Sequence, residues 1–300
     1  MANIINLFKA TTGLNNKIDP VRLDFDPKTG VTDLSIAYNI SIDKTGRPSR
    51  RDGYDSVVSG SYHSLFSCGS YGLCILGTSL YVLESDYSTT SIATVTSGAK
   101  MAYVKHFDVT YFCNGYEKGK VTDRVYSTWI ASSYVGPDTT KTVSDPPIGT
   151  ILELWNGRMY IGKDDVLWYS NPFAYSQFDL ARNYVPFGNQ MRMIQGVKNG
   201  LFIGTDNGIS FLGGSNPNEF SYEFLTDSRV IEGADVKVKG SIINPQIQGF
   251  VALIPTNNGI FAGLPTGELF DLTKERIDFP YSLRGAGIVK DNTYIITLQQ

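Results

Sequence analysis

Short apolar runs broken by turn residues recur along most of this chain, and their spacing is strand-like rather than helical. Residues 155–162, Trp-Asn-Gly-Arg-Met-Tyr-Ile-Gly, place an Asn-Gly turn before an apolar segment that ends on Gly. The cadence returns at 198–204, Lys-Asn-Gly-Leu-Phe-Ile-Gly, and at 257–263, Asn-Asn-Gly-Ile-Phe-Ala-Gly. Asn and Gly accept the positive φ of a tight hairpin turn, and aromatic or β-branched residues suit the pleated strand behind it. A repeated turn-strand unit predicts a repeat architecture.

The remaining runs fall into sets. His63-Ser-Leu-Phe-Ser-Cys, Gly72-Leu-Cys-Ile-Leu-Gly, Ser79-Leu-Tyr-Val-Leu and Ser91-Ile-Ala-Thr-Val-Thr predict a first set of strands. Met101-Ala-Tyr-Val, Val109-Thr-Tyr-Phe-Cys and Arg124-Val-Tyr-Ser-Thr-Trp start a second. Residues 131–149, rich in Pro, Ser and Thr, read as a long connection. Ile151-Leu-Glu-Leu, Arg158-Met-Tyr-Ile and Val166-Leu-Trp-Tyr-Ser open a third set. Met191-Arg-Met-Ile, Leu201-Phe-Ile, Ile209-Ser-Phe-Leu and Tyr222-Glu-Phe-Leu form a fourth, and a fifth begins near Ala234-Asp-Val-Lys-Val. The last segment, 285–298, reads as an inner hairpin lacking two strands. A helical period survives only near Asp271–Arg276.

Gly157 and Gly200 lie 43 residues apart, within the roughly 40–50 of a four-stranded propeller blade. The wider step from Gly200 to Gly259 predicts an insertion around 228–247. The expected fold is therefore all-β, a β-propeller of six blades, with five or seven as the neighbouring counts. Strands from residues 31–55 are expected to complete the last blade, closing the ring by pairing of N- and C-terminal strands and removing a sheet edge. A pair of β-sandwiches explains the alternation equally well but not the 43-residue echo. Residues 1–30 have no sustained period and read as an extended N-terminal arm, apolar enough at Leu7, Phe8 and Leu14 to pack on a partner.

Composition narrows the function classes. Thirty glycines, 16 Phe and 18 Tyr among 300 residues fit a turn-rich β chain. A net charge of −3 gives no global field for nucleic acid or acidic membranes. No apolar run is long enough for a membrane helix, and the first residues lack signal-peptide character, so synthesis in the cytoplasm is expected. Cys68, Cys74 and Cys113 are too few for a disulfide framework. If residues 69–72 turn a hairpin about Tyr71, Cys68 and Cys74 face each other across it, but small buried strand residues is the better reading.

Enzyme motifs are sparse. The two histidines, His63 and His106, sit beside strand aromatics and read as packed side chains. Asp164-Asp165 and Asp206-Asn207-Gly208 resemble fragments of a calcium loop without its ligand spacing. Glu153, Asp165 and Glu268 are the carboxylates that a propeller could converge for glycoside hydrolysis. Trp155, Trp168, Tyr169 and Tyr175 could stack on sugar rings, although inter-blade packing accounts for them better. No catalytic, metal or cofactor-binding residue is assigned, and no cofactor is expected. Arg47, Arg50 and Arg51 form the densest basic patch; pairing with Asp43 and Asp52 is favoured over a grip on nucleic acid.

The segment Leu34-Ser-Ile-Ala-Tyr-Asn-Ile-Ser-Ile-Asp-Lys-Thr-Gly-Arg-Pro-Ser-Arg-Arg-Asp-Gly-Tyr54 resembles the N-terminal stretch of tailed-bacteriophage virion proteins, where an Asn-bearing strand, a Gly turn and an Arg-x-Gly-Tyr ending precede a β-propeller. Residues 155–162 followed by Val166-Leu-Trp-Tyr-Ser-Asn-Pro are similar to their blade pattern, and 264–273 echoes it. The resemblance implies a non-enzymatic structural protein of the virion: a tail hub, nozzle or DNA-stabilisation-like component of the phage tail or head-tail assembly. It also implies a ring homo-oligomer of six copies or a multiple, in contact with tail-tube, adaptor or portal-proximal proteins and with no membrane. The interaction residues it suggests are Leu7, Phe8, Leu14, Arg47, Arg50, Arg51 and Tyr54. A carbohydrate-binding receptor-recognition propeller, or a glycosidase, is the alternative.

Overall fold

The computed structural model describes residues 9–299 except Asp24, Pro27, Tyr54, 134–139, Lys141, Lys274 and Glu275. Leu7, Phe8 and Tyr54 lie outside the described residues. Among the described residues the chain is almost wholly strand and turn. Near its start, β1 (Ala10–Leu14), β2 (Phe25–Asp26) and β3 (Val31–Leu34) form a three-stranded sheet ordered β1-β3-β2, and β4 (Ile40–Ile42) and β5 (Pro48–Arg50) form a separate hairpin.

Six antiparallel sheets follow in chain order. The first is β6 (His63–Ser67), β7 (Gly72–Leu76), β8 (Ser79–Leu83) and β9 (Thr89–Thr94). The second is β10 (Ala102–His106), β11 (Val109–Cys113), β12 (Lys118–Thr122) and β13 (Val125–Thr128). The third is β14 (Ile151–Trp155), β15 (Arg158–Lys163), β16 (Val166–Asn171) and β17 (Ala174–Phe178), with β18 (Tyr184–Pro186) also pairing β16. The fourth is β19 (Met191–Val197), β20 (Gly200–Thr205), β21 (Gly208–Gly213) and β22 (Ser221–Thr226). The fifth is β23 (Val236–Lys239), β24 (Phe250–Thr256), β25 (Gly259–Gly263) and β26 (Leu269–Asp271), and the sixth is the hairpin β27 (Arg284–Lys290) with β28 (Thr293–Gln299).

Five apolar clusters hold successive sheets face to face. Leu73, Ile75 and Leu80 meet Phe112 and Val121. Tyr111, Cys113 and Trp129 meet Met159, Ile161 and Phe178. Tyr160 and Leu167 meet Ile194 and Leu201, and Phe202 and Phe211 meet Ala252 and Ile254. Val251 and Leu253 meet Val289 and Tyr294. The second strand of each four-stranded blade therefore buries both of its faces, which is why β20 reads Gly-Leu-Phe-Ile-Gly-Thr without a polar alternation. Meandering sheets stacked one on the next, with their first strands side by side, make a six-bladed β-propeller.

The structure departs from the sequence expectations in five places. First, residues 10–34 are not an extended arm. Leu14 is half-buried opposite Leu34 in a parallel β1–β3 pair, a long-range pairing that leaves no local period. Second, β4–β5 pairs only with itself among the described strands, and β27 only with β28, so the expected pairing of residues 31–55 into the last blade is absent. Asn39, at φ 52°, breaks the alternating run that suggested one long strand over 34–42.

Third, the Asn-Gly echo is not one turn repeated. Asn156 and Gly157 form the two-residue loop between Trp155 and Arg158, with φ of 45° and 71°. Gly200 is instead already paired, opposite Val197. Gly259 belongs to the turn between the second and third strands of its blade, the place Gly208 holds in the fourth. There Thr205 and Thr256 each receive a backbone N–H and donate to the glycine carbonyl of the turn. The fifth-blade insertion is real but lies between β23 and β24, where α1 (Gly240–Ile243) sits.

Fourth, the Cys68 hairpin turns about Gly69-Ser70, with Cys68 N–H donating to Tyr71 O; Cys68 and Cys74 are therefore not opposed, and all three cysteines are free and buried. Fifth, Asp43 caps its own turn, accepting from the Thr45 and Arg47 backbone amides rather than from an arginine side chain.

Candidate functional site

Polar side chains interrupt the apolar first strands of the middle blades, and folding gathers them. Glu153 of β14 and Lys237 of β23 meet with Nζ 2.5 Å from Oε1. One residue before β23, Asp235 accepts from Gln195 Nε2 of β19 at 2.6 Å. Burial pushes the Glu153 and Asp235 carboxyls above the usual range; Lys237 opposes the shift at Glu153, and the Gln195 hydrogen bond opposes it at Asp235. Gln195 Oε1 is buried without a partner. Tyr294 of β28 closes over this region, its hydroxyl donating to Ala234 O at 2.5 Å.

Beside this group lies a cationic mouth. Arg192 donates to both oxygens of Asp206, at 3.0 and 3.2 Å, and to Glu232 at 2.9 Å. Arg229 reaches the same Asp206 at 2.7 Å and donates to the Tyr281 hydroxyl at 2.9 Å. The arginine bonds hold the Asp206 carboxyl below the usual range. Lys100, from the segment before β10, donates to Gly285 O at 3.2 Å, and burial lowers its pKa. Arg284, at the start of β27, faces the same pocket.

The residues singled out from sequence are scattered. Of the three carboxylates, Glu153 alone joins the central group. Asp165 lies in the β15–β16 turn, Glu268 is exposed just before β26, and no hydrogen bond joins any two of the three. Asp235 is the carboxylate that accompanies Glu153; it precedes the alternating strand Val-Lys-Val-Lys, and nothing in that local pattern marks it. The four aromatics pack between blades: Trp155 against Tyr160 and Phe220 with Nε1 on Val197 O, Tyr169 against Tyr160, Tyr175 against His106 and Tyr111, and Trp168 at the Met159–Phe178 cluster. His63 is half-buried, with Nδ1 2.9 Å from Ser64 Oγ.

Arg47, Arg50 and Arg51 are exposed on and beside the β4–β5 hairpin; Arg51 Nε donates to Ile40 O at 3.2 Å. Their expected pairing with Asp43 and Asp52 is absent among the described residues, because the Asp43 carboxylate is spent on its own turn. Among the described residues no group of three His, Cys, Asp or Glu side chains has the arrangement to hold a metal ion.

Fold and site together define a propeller with a polar centre and a cationic mouth. No protein-family model matches the chain, and no curated protein matches it in sequence. Solved structures resemble it in fold. PorZ, a bacterial surface component of the type-IX secretion system of Porphyromonas gingivalis, is 12% identical with a TM-score of 0.49, over 98% of this chain and 36% of that one. The extracellular domain of a one-component system from B. thetaiotaomicron is 15% identical with a TM-score of 0.48, over 80% and 31%. An inactive virginiamycin B lyase from Staphylococcus aureus, solved with quinupristin, is 10% identical with a TM-score of 0.46, over 86% and 84%.

Proposed function

We propose that this protein is a non-enzymatic structural subunit of a bacteriophage virion, a rigid propeller block in the tail or head-tail assembly that contacts neighbouring virion proteins through its N-terminal module. The reading further takes the subunits to form a ring of six copies or a multiple. The observation that carries it is the module of residues 9–53, which stands outside the six blades and carries apolar and basic groups side by side. Ile36 and Tyr38 are 64% and 84% exposed, next to a hairpin bearing Arg47, Arg50 and Arg51. Apolar side chains rimmed by arginine are the composition of a protein-binding surface rather than of a solvated linker. The resemblance of residues 34–54 to phage virion proteins supports the same surface.

The module is also mechanically attached to the propeller. The Asn16 side chain exchanges hydrogen bonds with the Asp278 backbone, at 3.0 and 2.8 Å, and its own N–H donates to Arg276 O at 3.0 Å. Arg276 pairs with Asp33 and donates to Thr12 at 2.8 Å. A load applied to the module would pass into the segment that leads to β27.

The experiment is particle incorporation. The double substitution Ile36→Ser and Tyr38→Ser, on exposed side chains, is expected to leave the melting temperature unchanged and to remove the protein from purified particles. Normal incorporation of this variant overturns the role of the module. Absence of the wild-type protein from purified particles overturns the virion reading itself.

A further inference from the structure

We infer that the mouth formed by Arg192, Arg229 and Arg284 is a binding site for a small oxyanion, a carboxylate or phosphate carried on a compact organic body. The pocket there measures about 450 Å³. This inference is independent of the assembly reading, because the pocket is lined by β19, the fourth-to-fifth-blade connection, the segment before β27 and the last hairpin, and by no residue of the N-terminal module.

The charges around the pocket do not balance. Arg192, Arg229, Arg284 and Lys100 supply four cations, and Asp206 and Glu232 supply two carboxylates. Both carboxylates are already engaged by Arg192, and Asp206 also by Arg229. The surplus is positive, and Arg284, which adds the last charge, stands exposed at the rim of the pocket.

Donors are also left over. Arg229 Nε is buried and, among the described residues, has no hydrogen-bond partner. Among the described residues no hydrogen bond or ion pair engages the Arg284 guanidinium, although its residue begins a strand whose backbone is fixed by pairing with Gln299. The Tyr281 hydroxyl accepts from Arg229, which leaves its own proton free to donate. An oxyanion in the pocket would be held by the Arg284 guanidinium and the Tyr281 hydroxyl, with Arg229 contributing charge from behind. A guanidinium fork matches the two oxygens of a carboxylate or phosphate, and such charge-assisted bonds are among the strongest available. Leu283, 48% exposed beside the fork, offers an apolar contact for the body of the ligand.

A purely structural ion network explains less. It accounts for Arg192 and for the Asp206 end of Arg229, since those bonds hold the connection between the fourth and fifth blades. It gives no reason for Arg284 to add a further positive charge to a recess that already holds three.

Isothermal titration of the full chain at low ionic strength tests the site, with inorganic phosphate in one arm and 3-methylbutanoate in the other. Saturable binding at one site per chain is expected, with a dissociation constant of about 1 mM or below. A stronger signal from phosphate identifies a phosphoryl ligand, and a stronger one from 3-methylbutanoate an organic acid. Arg284→Gln is expected to weaken binding at least about tenfold, and Arg284→Lys to fall between, because it keeps the charge and loses the fork. Arg284 is exposed, so both variants should keep the wild-type melting temperature. Lys163→Gln, at the exposed last residue of β15 and outside the pocket, should bind like the wild type. The proposal is overturned if neither anion gives saturable binding, or if Arg284→Gln and Lys163→Gln bind alike.

Discussion

Lys237 Nζ lies 2.5 Å from Glu153 Oε1, joining the first strands of the third and fifth blades across 84 residues of chain. The pair is largely out of water, with side-chain exposures of 28% and 10%. Taking away the carboxylate would leave an ammonium facing Asp235 and a cavity. Glu153→Ala is expected to cost roughly 2–4 kcal/mol, less than a fully enclosed pair because Lys237 keeps some solvent. Glu153→Leu with Lys237→Met should recover most of that loss. Chemical denaturation measures both; a single mutant as stable as the wild type would show that the pair holds nothing.

The buried carboxyls predict a pH dependence of definite sign. Burial raises the folded-state pKa of Glu153 and Asp235, so folding favours their protonated forms. That contribution is complete below the ordinary carboxylate range and is lost as pH rises through the raised values. Asp206 behaves oppositely: its arginine bonds lower its pKa, so its contribution is present above the ordinary value of 3.8 and is lost on acidification. The titratable groups facing Asp235 include Glu153, Glu232, Lys237 and Tyr294, and Asn at this position can still accept from Gln195. Asp235→Asn should therefore flatten the decline in melting temperature as pH rises above the ordinary carboxylate range. An unchanged slope would remove Asp235 from the account.

Two glycines should respond differently to the same methyl group. A Cβ on Gly200 would stand 2.1 Å from Leu212 O and 2.6 Å from Phe211 Cζ, in the middle of the fourth blade. Backbone cannot yield there, and Gly200→Ala is expected to cost about 1–3 kcal/mol or more. Gly77 has open space around it and a φ of +60°, so Gly77→Ala meets only the left-handed backbone penalty, about 1 kcal/mol. Thermal melts of the pair check the order, and the reverse order would contradict the strand packing.

The attachment of the N-terminal module can be loosened separately. Asp33→Ala with Asn16→Ala removes the side-chain bonds to Arg276 and Asp278. Residues 10–34 should then exchange amide hydrogen faster, and be cut sooner by protease, while the blades keep their protection. Equal protection in variant and wild type would mean that the β1–β3 ladder, with the remaining Thr12 side-chain and Asn16 backbone bonds to Arg276, is enough to hold the sheet in place.

Much of the propeller was legible residue by residue. Runs such as Leu201-Phe-Ile and Ile209-Ser-Phe-Leu are strands because both their faces are buried, and that continuous apolar character survives without any knowledge of neighbours. β12 was illegible for the opposite reason. Its sequence, Lys-Gly-Lys-Val-Thr, is polar, and Gly119 is there because the rings of Phe112 and Tyr126 cover it from neighbouring strands. The Asn-Gly echo misled in register. Gly157 turns the chain, whereas Gly200 lies within a strand and is fixed by the Leu212 carbonyl, a requirement that sequence spacing does not reveal.

By itself, the sequence determined the all-β class, the position of most blade strands and the packing role of its tryptophans and histidines, since these follow from local alternation, turn chemistry and apolar volume. Tertiary structure alone decided which polar residues meet. Glu153, Gln195, Asp235 and Lys237 come from three different first strands and their edges, and the arginine mouth draws on positions from 192 to 284. Blade stacking sets those distances, and no residue within reach along the chain carries a trace of its partner.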